Sequence, residues 1–390
     1  MIDEKEFGRL ADKLQFYYDL PGLAVSVGRV GGAAESGSAA AERGPQNPEA
    51  APFVLRRFCG MERPGKALAA ESRFHMASVS KLFTAAAVIK LRDAGKLNLS
   101  APLVQYLPEV KTADPRFSQA TVLDLLTHTS GLPDVQDYHW DKPETDEGAL
   151  LRYALSDEVQ NAHLLWAPAG LQFAAPISAA ANSTASASGT SAPLSATGAA
   201  PRFAYSNIAY ELLGLLVARL SGLTYEDAIR QYFFAPLGMD TATMFTPEQD
   251  ADHLCAPFTK DENNHFTVIP HFPYTRCHAP SSTLTGTVMD AEKWAAAHLT
   301  AQVFPQKTID ELWTPHAKVP GTSEKICLGW FRRRTAGVGL VGYEGGDDGF
   351  RSSFWLVPEK GLWIILLCNL SGAPLKGLSN EILRWVLPQL

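Results

Sequence analysis

Residues 74–95 read FHMASVSKLFTAAAVIKLRDAG, and the rest of the fold is arranged around them. From Ser78 to Ala94 the pattern predicts a long helix, closed by Gly95. Leu82 to Ile89 is apolar nearly all round apart from Thr84, so this helix is expected at the centre of the protein. Ser78 and Lys81, at i and i+3, share one face of its first turn. A hydroxyl there lies beside an amine able to take its proton. Free N–H groups surround it at the helix start, and the helix dipole favours negative charge. Those are the requirements of an acylating serine. Ser-x-x-Lys also recurs by chance, so its weight depends on what surrounds it.

Working outward, residues 4–19 place Phe7, Leu10, Leu14 and Tyr17 or Tyr18 on one helical face. Pro21-Gly22 breaks that helix, and Leu23 to Val27 reads as a buried strand. Residues 31–52 are poor in large apolar groups and read as a long, mobile hairpin loop before a return strand, Val54 to Phe58. Further helices are predicted at 121–127, 209–221 (ending at Gly222), 224–234 and 289–300. The segment 174–200 carries no charge and is dominated by Ala, Ser, Thr and Gly, the composition of a disordered insertion. From Leu328 the period changes to strands: 329–334, 339–343, 352–357 and 362–368. Pro358-Glu359-Lys360-Gly361 is a four-residue hairpin turn, and a helix over about 373–386 closes the chain. Strands at both ends with helices between predict an α+β fold. Its antiparallel sheet is formed by the N- and C-terminal segments and flanked by helices, with an all-helical part inserted. The expected division is 1–77 with 289–390 as the sheet domain and 78–288 as the mostly helical one.

Composition narrows the function. The 390 residues are 46% hydrophobic and include 8 Trp and 19 Phe, enough apolar bulk to exclude a chain disordered throughout. A formal charge of −7 leaves no basic footprint for nucleic acid or an anionic membrane. The longest apolar run, Leu362 to Cys368, has the length of a strand and not of a membrane span. The chain starts without a basic or apolar leader pattern, and its cysteines (59, 255, 277, 327 and 368) form no CxxC pair. Both features lead to an expectation of reduced thiols and a cytoplasmic location.

Four stretches, in order, resemble the serine β-lactamase and penicillin-binding-protein superfamily in its class C and esterase-like branch. Phe74 to Lys81 is similar to the nucleophile motif. Leu125-Leu126-Thr127-His128-Thr129-Ser130-Gly131-Leu132-Pro133 resembles the helix-to-loop signature. Tyr205-Ser206-Asn207, followed by Tyr210-Glu211-Leu212-Leu213-Gly214, resembles the Tyr-x-Asn motif and its helix. Gly342-Tyr343-Glu344-Gly345-Gly346, followed by Gly349-Phe350, resembles the strand that lines the site. The resemblance implies Ser78 as nucleophile and Lys81 as holder of its proton network. It implies Tyr205 as partner base and later acid, and Asn207 as orienter of Lys81 and contact for the substrate. The oxyanion hole would be the N–H groups of Ser78 and Gly346. A phenol ordinarily ionises near pH 10, and a neighbouring ammonium favours its phenolate, so lysine and tyrosine would titrate as a unit. Read alone, Tyr205 could equally be a buried tyrosine with a satisfied hydroxyl, and Asn207 an N-cap. His128 reads as a structural residue that bonds the loop.

The chain departs from the family at the lining strand. Tyr343-Glu344-Gly345 stands where relatives carry Lys-Thr-Gly or His-x-Gly, so a cation is missing. Glu344, Asp347 and Asp348 suggest an acidic mouth that disfavours acidic substrates and attracts amines. The opposing possibility is that these acids face solvent and Arg351 neutralises one. Gly60 to Lys66 imitates a phosphate loop but continues with Ala67, losing the magnesium ligand. His271, Cys277 and His278 are irregularly spaced for a metal site.

The expectation is a serine hydrolase acting on carboxylic esters or small amides through an acyl-enzyme. It would need no cofactor or metal, and its partner would be a small-molecule ester, amide or peptide. The alternatives are a D-amino-acid or amino-terminal peptidase, a weak β-lactamase, or a non-catalytic scaffold of the same fold.

Overall fold

The computed structural model describes residues 2–31, 51–168, 202–249 and 251–390. Residues 32–50 of the expected hairpin loop and the whole 174–200 segment lie outside the described residues.

The first helix, α1 (Glu4–Tyr17), is capped by Asp3, whose carboxylate accepts from the N–H groups of Lys5 and Glu6. It buries Phe7, Ala11 and Leu14, one face at i, i+4 and i+7. After it, β1 (Gly22–Arg29) and β2 (Phe53–Arg63) pair antiparallel, and β3 (Lys66–Ala67) turns back on β2. Of the phosphate-loop look-alike, Gly60 to Arg63 end β2, Pro64-Gly65 form the turn with Gly65 at φ +79°, and Lys66 begins β3.

The sheet resumes far along the chain with β4 (Ala317–Lys318), β5 (Lys325–Ile326), β6 (Phe331–Thr335), β7 (Val338–Asp347), β8 (Phe350–Val357) and β9 (Leu362–Cys368). The order across the nine strands is β3-β2-β1-β9-β8-β7-β6-β5-β4. The join between the two ends of the chain is β1 against β9, antiparallel, with Leu23 opposite Cys368 and Arg29 opposite Leu362. β9 is buried at all seven positions, as a central strand covered on both faces must be.

Each face has its own core. On one, α1 and the terminal helix α7 (Leu375–Val386) bury Phe7, Leu14, Leu378 and Ile382 against Val25, Ile364 and Leu366. On the other lies the larger core, built around α2 (Ser80–Asp93), which buries every residue from Ser80 to Ile89. A helix apolar all round belongs inside, as its sequence indicates. Around it stand α3 (Val122–Leu126), closed by a Thr121–Asp124 capping box, then α4 (Asn207–Ser221), α5 (Tyr225–Ile229) and α6 (Val288–Leu299). The helix expected over 224–234 is α5 followed by a π-helical turn, Arg230–Phe234. Among the described residues no single helix is long and apolar enough to cross a membrane.

Candidate active site

Ser78 lies in the 3-10 turn Ala77–Val79 that leads into α2, one turn earlier in form than the α-helix expected there. Ala77, just before it, has φ +48°, a left-handed backbone that an alanine adopts only under constraint. The constraint is visible. The Met76 carbonyl accepts from Ser352 Oγ at 2.7 Å and from the Val79 N–H at 3.2 Å, and the Met76 N–H donates to Leu284 at 2.7 Å.

Lys81 is fully buried, and three acceptors meet its Nζ: Ser78 Oγ at 3.1 Å, Asn207 Oδ1 at 2.5 Å and the Ser281 carbonyl at 2.8 Å. Three acceptors match the three donors of an ammonium. Tyr205 Oη lies 2.9 Å from Ser78 Oγ, and Lys81 Nζ sits 5.0 Å from the centroid of the Tyr205 ring. The hydroxyl, amine, phenol and amide singled out in the sequence therefore converge.

Residues outside those motifs fix the arrangement. Asp134 Oδ1 accepts from both the backbone N–H and the side-chain Nδ2 of Asn207, each at 2.8 Å. With its NH2 committed to Asp134, the Asn207 amide turns its oxygen to Lys81. Asp134 directly follows the Leu132-Pro133 end of the helix-to-loop signature, which is the signal that could have found it. To Lys81, Ser281 offers its backbone carbonyl, which no residue-type signal announces.

His128 does hold its loop, and more. Its Nδ1 accepts from the Ser206 N–H at 3.2 Å, and its ring stacks on Tyr205 with centroids 4.5 Å apart. Burial, with the Lys81 charge adding to it, keeps its pKa well below the ordinary value, so the imidazole is neutral. Tyr343 is also buried, with its hydroxyl 3.4 Å from both Tyr205 Oη and His128 Nε2. Burial pushes the Tyr343 pKa well above that of a free phenol, so it stays a donor. This phenol backs Tyr205.

Gly345 runs so close to Ser78 that a Cβ there would overlap the Met76 carbonyl and stand 3.1 Å from the Ser78 nitrogen. β6 pairs with β7 only as far as Gly342, so beyond it that edge of β7 has no partner strand among the described residues. Among the residues that line the groove along this edge are Tyr205, Phe331, Tyr343, Glu344, Gly346 and Arg351.

The acidic mouth needs correction. Alternation along β7 sends Glu344 to the face opposite Gly345, where it accepts from Ser353 Oγ at 2.9 Å and from Trp355 Nε1. It flanks the groove from the α7 side and does not meet Ser78. Asp347 is occupied by His75 Nε2 at 2.7 Å and by Ser282 Oγ, and Asp348 by His271 at 3.0 Å. His278 is likewise engaged, by Glu211 at 2.9 Å. No group of three metal-ligating side chains occurs among the described residues.

The Beta-lactamase family model matches residues 7–386. The chain belongs to the Beta-lactamase family. It is 23% identical over 310 residues to protein flp of Staphylococcus aureus (strain MW2), covering 77% of this chain and 53% of that protein. The chain thus spans about half the length of that relative. It is 25% identical over 333 residues to the D-alanyl-D-alanine-carboxypeptidase/endopeptidase AmpH of Escherichia coli (strain K12), covering 79% of this chain and 74% of AmpH. The solved D-amino acid amidase from Ochrobactrum anthropi SV3 superposes with a TM-score of 0.73 at 18% identity, over 99% of both chains. The architecture is that of the β-lactamase and penicillin-binding-protein hydrolases.

Proposed function

We propose that this protein is a serine hydrolase that cleaves small carboxylic esters and amides through an acyl-enzyme on Ser78. The observation that carries the reading is the meeting of Lys81 Nζ and Tyr205 Oη on Ser78 Oγ, at 3.1 and 2.9 Å. In the proposed reaction Tyr205 starts as the phenolate: Ser78 Oγ attacks the acyl carbon and its proton passes to Tyr205 Oη, giving the neutral phenol. Lys81 remains a fixed positive charge that stabilises the developing alkoxide. The N–H groups of Ser78 and Gly346 receive the carbonyl oxygen as it becomes an oxyanion. Tyr205 then returns a proton to the leaving oxygen or nitrogen. Water enters by the same route in reverse, forming the carboxylic acid and restoring the Ser78 hydroxyl. Tyr343, donating toward Tyr205 Oη, favours negative charge on that oxygen while it waits for a proton.

A second reading, hydrolysis of amides or peptides that carry a free amino group, is supported by Asp134. It is exposed and sits beside Asn207, with only one carboxylate oxygen committed to that residue. An ammonium on the substrate is the partner that such a charge selects. AmpH is named as a carboxypeptidase and endopeptidase, and the Ochrobactrum protein as a D-amino acid amidase.

The test is a panel of acyl esters, amino-acid amides, D-amino-acid peptides and a penicillin, run on the wild type and on Ser78→Ala. A fluorophosphonate probe is applied in parallel. The expected result is an adduct on Ser78, turnover of esters or amides, and none by Ser78→Ala. Turnover only of substrates with a free amine selects the second reading. No adduct and no turnover would leave a scaffold, and efficient penicillin turnover would overturn the substrate assignment.

A further inference from the structure

Behind Lys81 lies a buried charged pair that the reaction above does not use. Glu211 stands on α4 four residues after Asn207, one helical turn on, so both side chains leave the same face. Its carboxylate is fully buried. Oε1 accepts from His278 Nδ1 at 2.9 Å and from Ser281 Oγ at 2.5 Å, while Oε2 has no hydrogen-bond partner among the described residues. Ser281 is the link to the site. Its hydroxyl holds Glu211, and its carbonyl accepts from Lys81 Nζ at 2.8 Å.

His278 is as buried as its partner and sits among the rings of Tyr138, Trp140 and Tyr153, with centroids 4.9, 5.8 and 4.7 Å away. Burial opposes charge on both members. The Glu211 pKa is raised by it. His278 is nonetheless pushed up to about 10, because Cys277 and Glu211 outweigh burial. The groups facing Glu211 are Lys81 from α2, Tyr225 from α5, Tyr138 and Tyr153 from the 138–153 segment, and His278 and Ser281 from the 276–281 segment, with Cys277 acting on His278.

A carboxylate with one oxygen left unpaired in a protein core is costly, and an apolar side chain would fill the same space at less cost. We infer that Glu211 is a positioning residue for Lys81, acting through Ser281, and this rests on the acyl-enzyme reading. Glu211 pins the 278–281 turn, so the Ser281 carbonyl stays on Nζ, and it sets a negative charge behind the ammonium. His278 offsets that charge from the far side. If Ser281 withdrew, one N–H of a buried ammonium would lose its acceptor and Nζ would have to move. The longest of its three bonds, the one to Ser78, would break first.

The experiment compares wild type, Glu211→Gln, Ser281→Ala and the double variant Glu211→Gln/His278→Gln. Ester hydrolysis is followed across pH, with active sites counted by fluorophosphonate and the Lys81 Nζ resonance read in 15N-lysine-labelled protein. Glu211→Gln is expected to lower kcat per titrated site about 10- to 100-fold, with KM within about twofold. The pH profile of kcat per site should change as well, because a buried carboxylate is removed from behind the site. The double variant should regain at least about threefold over Glu211→Gln, because it leaves no unpaired His278 cation. Ser281→Ala, which keeps the carbonyl, should move kcat in the same direction by less.

Unchanged kcat per site with an unchanged pH profile in Glu211→Gln overturns the inference, since a merely structural role would cost only active protein. If Glu211→Gln does not fold by circular dichroism, Ser281→Ala decides alone, and wild-type kcat per site there overturns it. If the wild type hydrolyses nothing, the reading of the site fails separately. The Lys81 resonance then decides: a shift in either folded variant supports the inference, and an unmoved resonance overturns it.

Discussion

Gly345→Ala isolates the oxyanion side of the site from the proton-transfer side. The added methyl overlaps two groups, Ser352 Oγ and the Met76 carbonyl. The hydroxyl can rotate away. The carbonyl cannot, because it is backbone, and it already accepts from Ser352 and from the Val79 N–H. Gly345 has no positive φ, so the substitution introduces no backbone penalty, only bulk. Relief requires β7 to separate from the Ser78 turn by about 1 Å, a misplacement of the size that costs about 100-fold in rate. That equals about 2.7 kcal/mol of transition-state stabilisation. Overpacking should remove a further 1–3 kcal/mol, roughly, from fold stability. The assay is kcat/KM for a neutral p-nitrophenyl ester, corrected for active sites, with a thermal melt alongside. Gly339→Ala on the same strand is the control, since a Cβ there meets nothing within 4 Å. A Gly345→Ala enzyme within threefold of wild type would refute the idea that β7 and the Ser78 nitrogen form one binding surface.

Two further outcomes follow from the electrostatics. Burial pushes the Glu344 pKa up from its ordinary 4.5 to about 7, with the Trp355 and Ser353 bonds opposing it. A raised carboxyl pKa favours the folded state fully below the ordinary value, and that contribution is lost as pH rises through 7. The wild-type Tm should therefore fall between pH 5 and pH 8, and Glu344→Gln should flatten that slope; equal slopes in melts of the two proteins would count against this assignment. His128 is held neutral, so the wild-type pH–rate profile should show no limb from it near pH 6.5. His128→Phe keeps a ring beside Tyr205 but loses the acceptor for Ser206. It should lower kcat about 10-fold with KM nearly unchanged in steady-state kinetics.

What could be read in the sequence was what is local or strongly periodic. The buried helix and its Ser78–Lys81 face follow from apolar continuity and i, i+3 spacing. The terminal strands follow from runs such as Leu362–Cys368, whose observed bounds match those expected. Periodicity alone ends the lining strand at Tyr343, whereas the resemblance carries it to Gly346, and it runs to Asp347. Glycines weaken it intrinsically, yet seven register pairs with β8 carry it on. The acidic residues near Gly345 were visible as types but not as directions, because one position along a strand moves a side chain to the other face. The part Ser281 plays was not legible in residue types, since it supplies a main-chain oxygen that only the tertiary fold brings to Lys81.

Lys81 is held by groups lying 3, 126 and 200 positions along the chain. A nascent polypeptide therefore presents Ser78 and Lys81 long before the groups that hold Lys81 have all been made. Truncated or partly assembled molecules would carry the Ser78 hydroxyl without the contacts from Asn207 and Ser281 that hold Lys81 beside it.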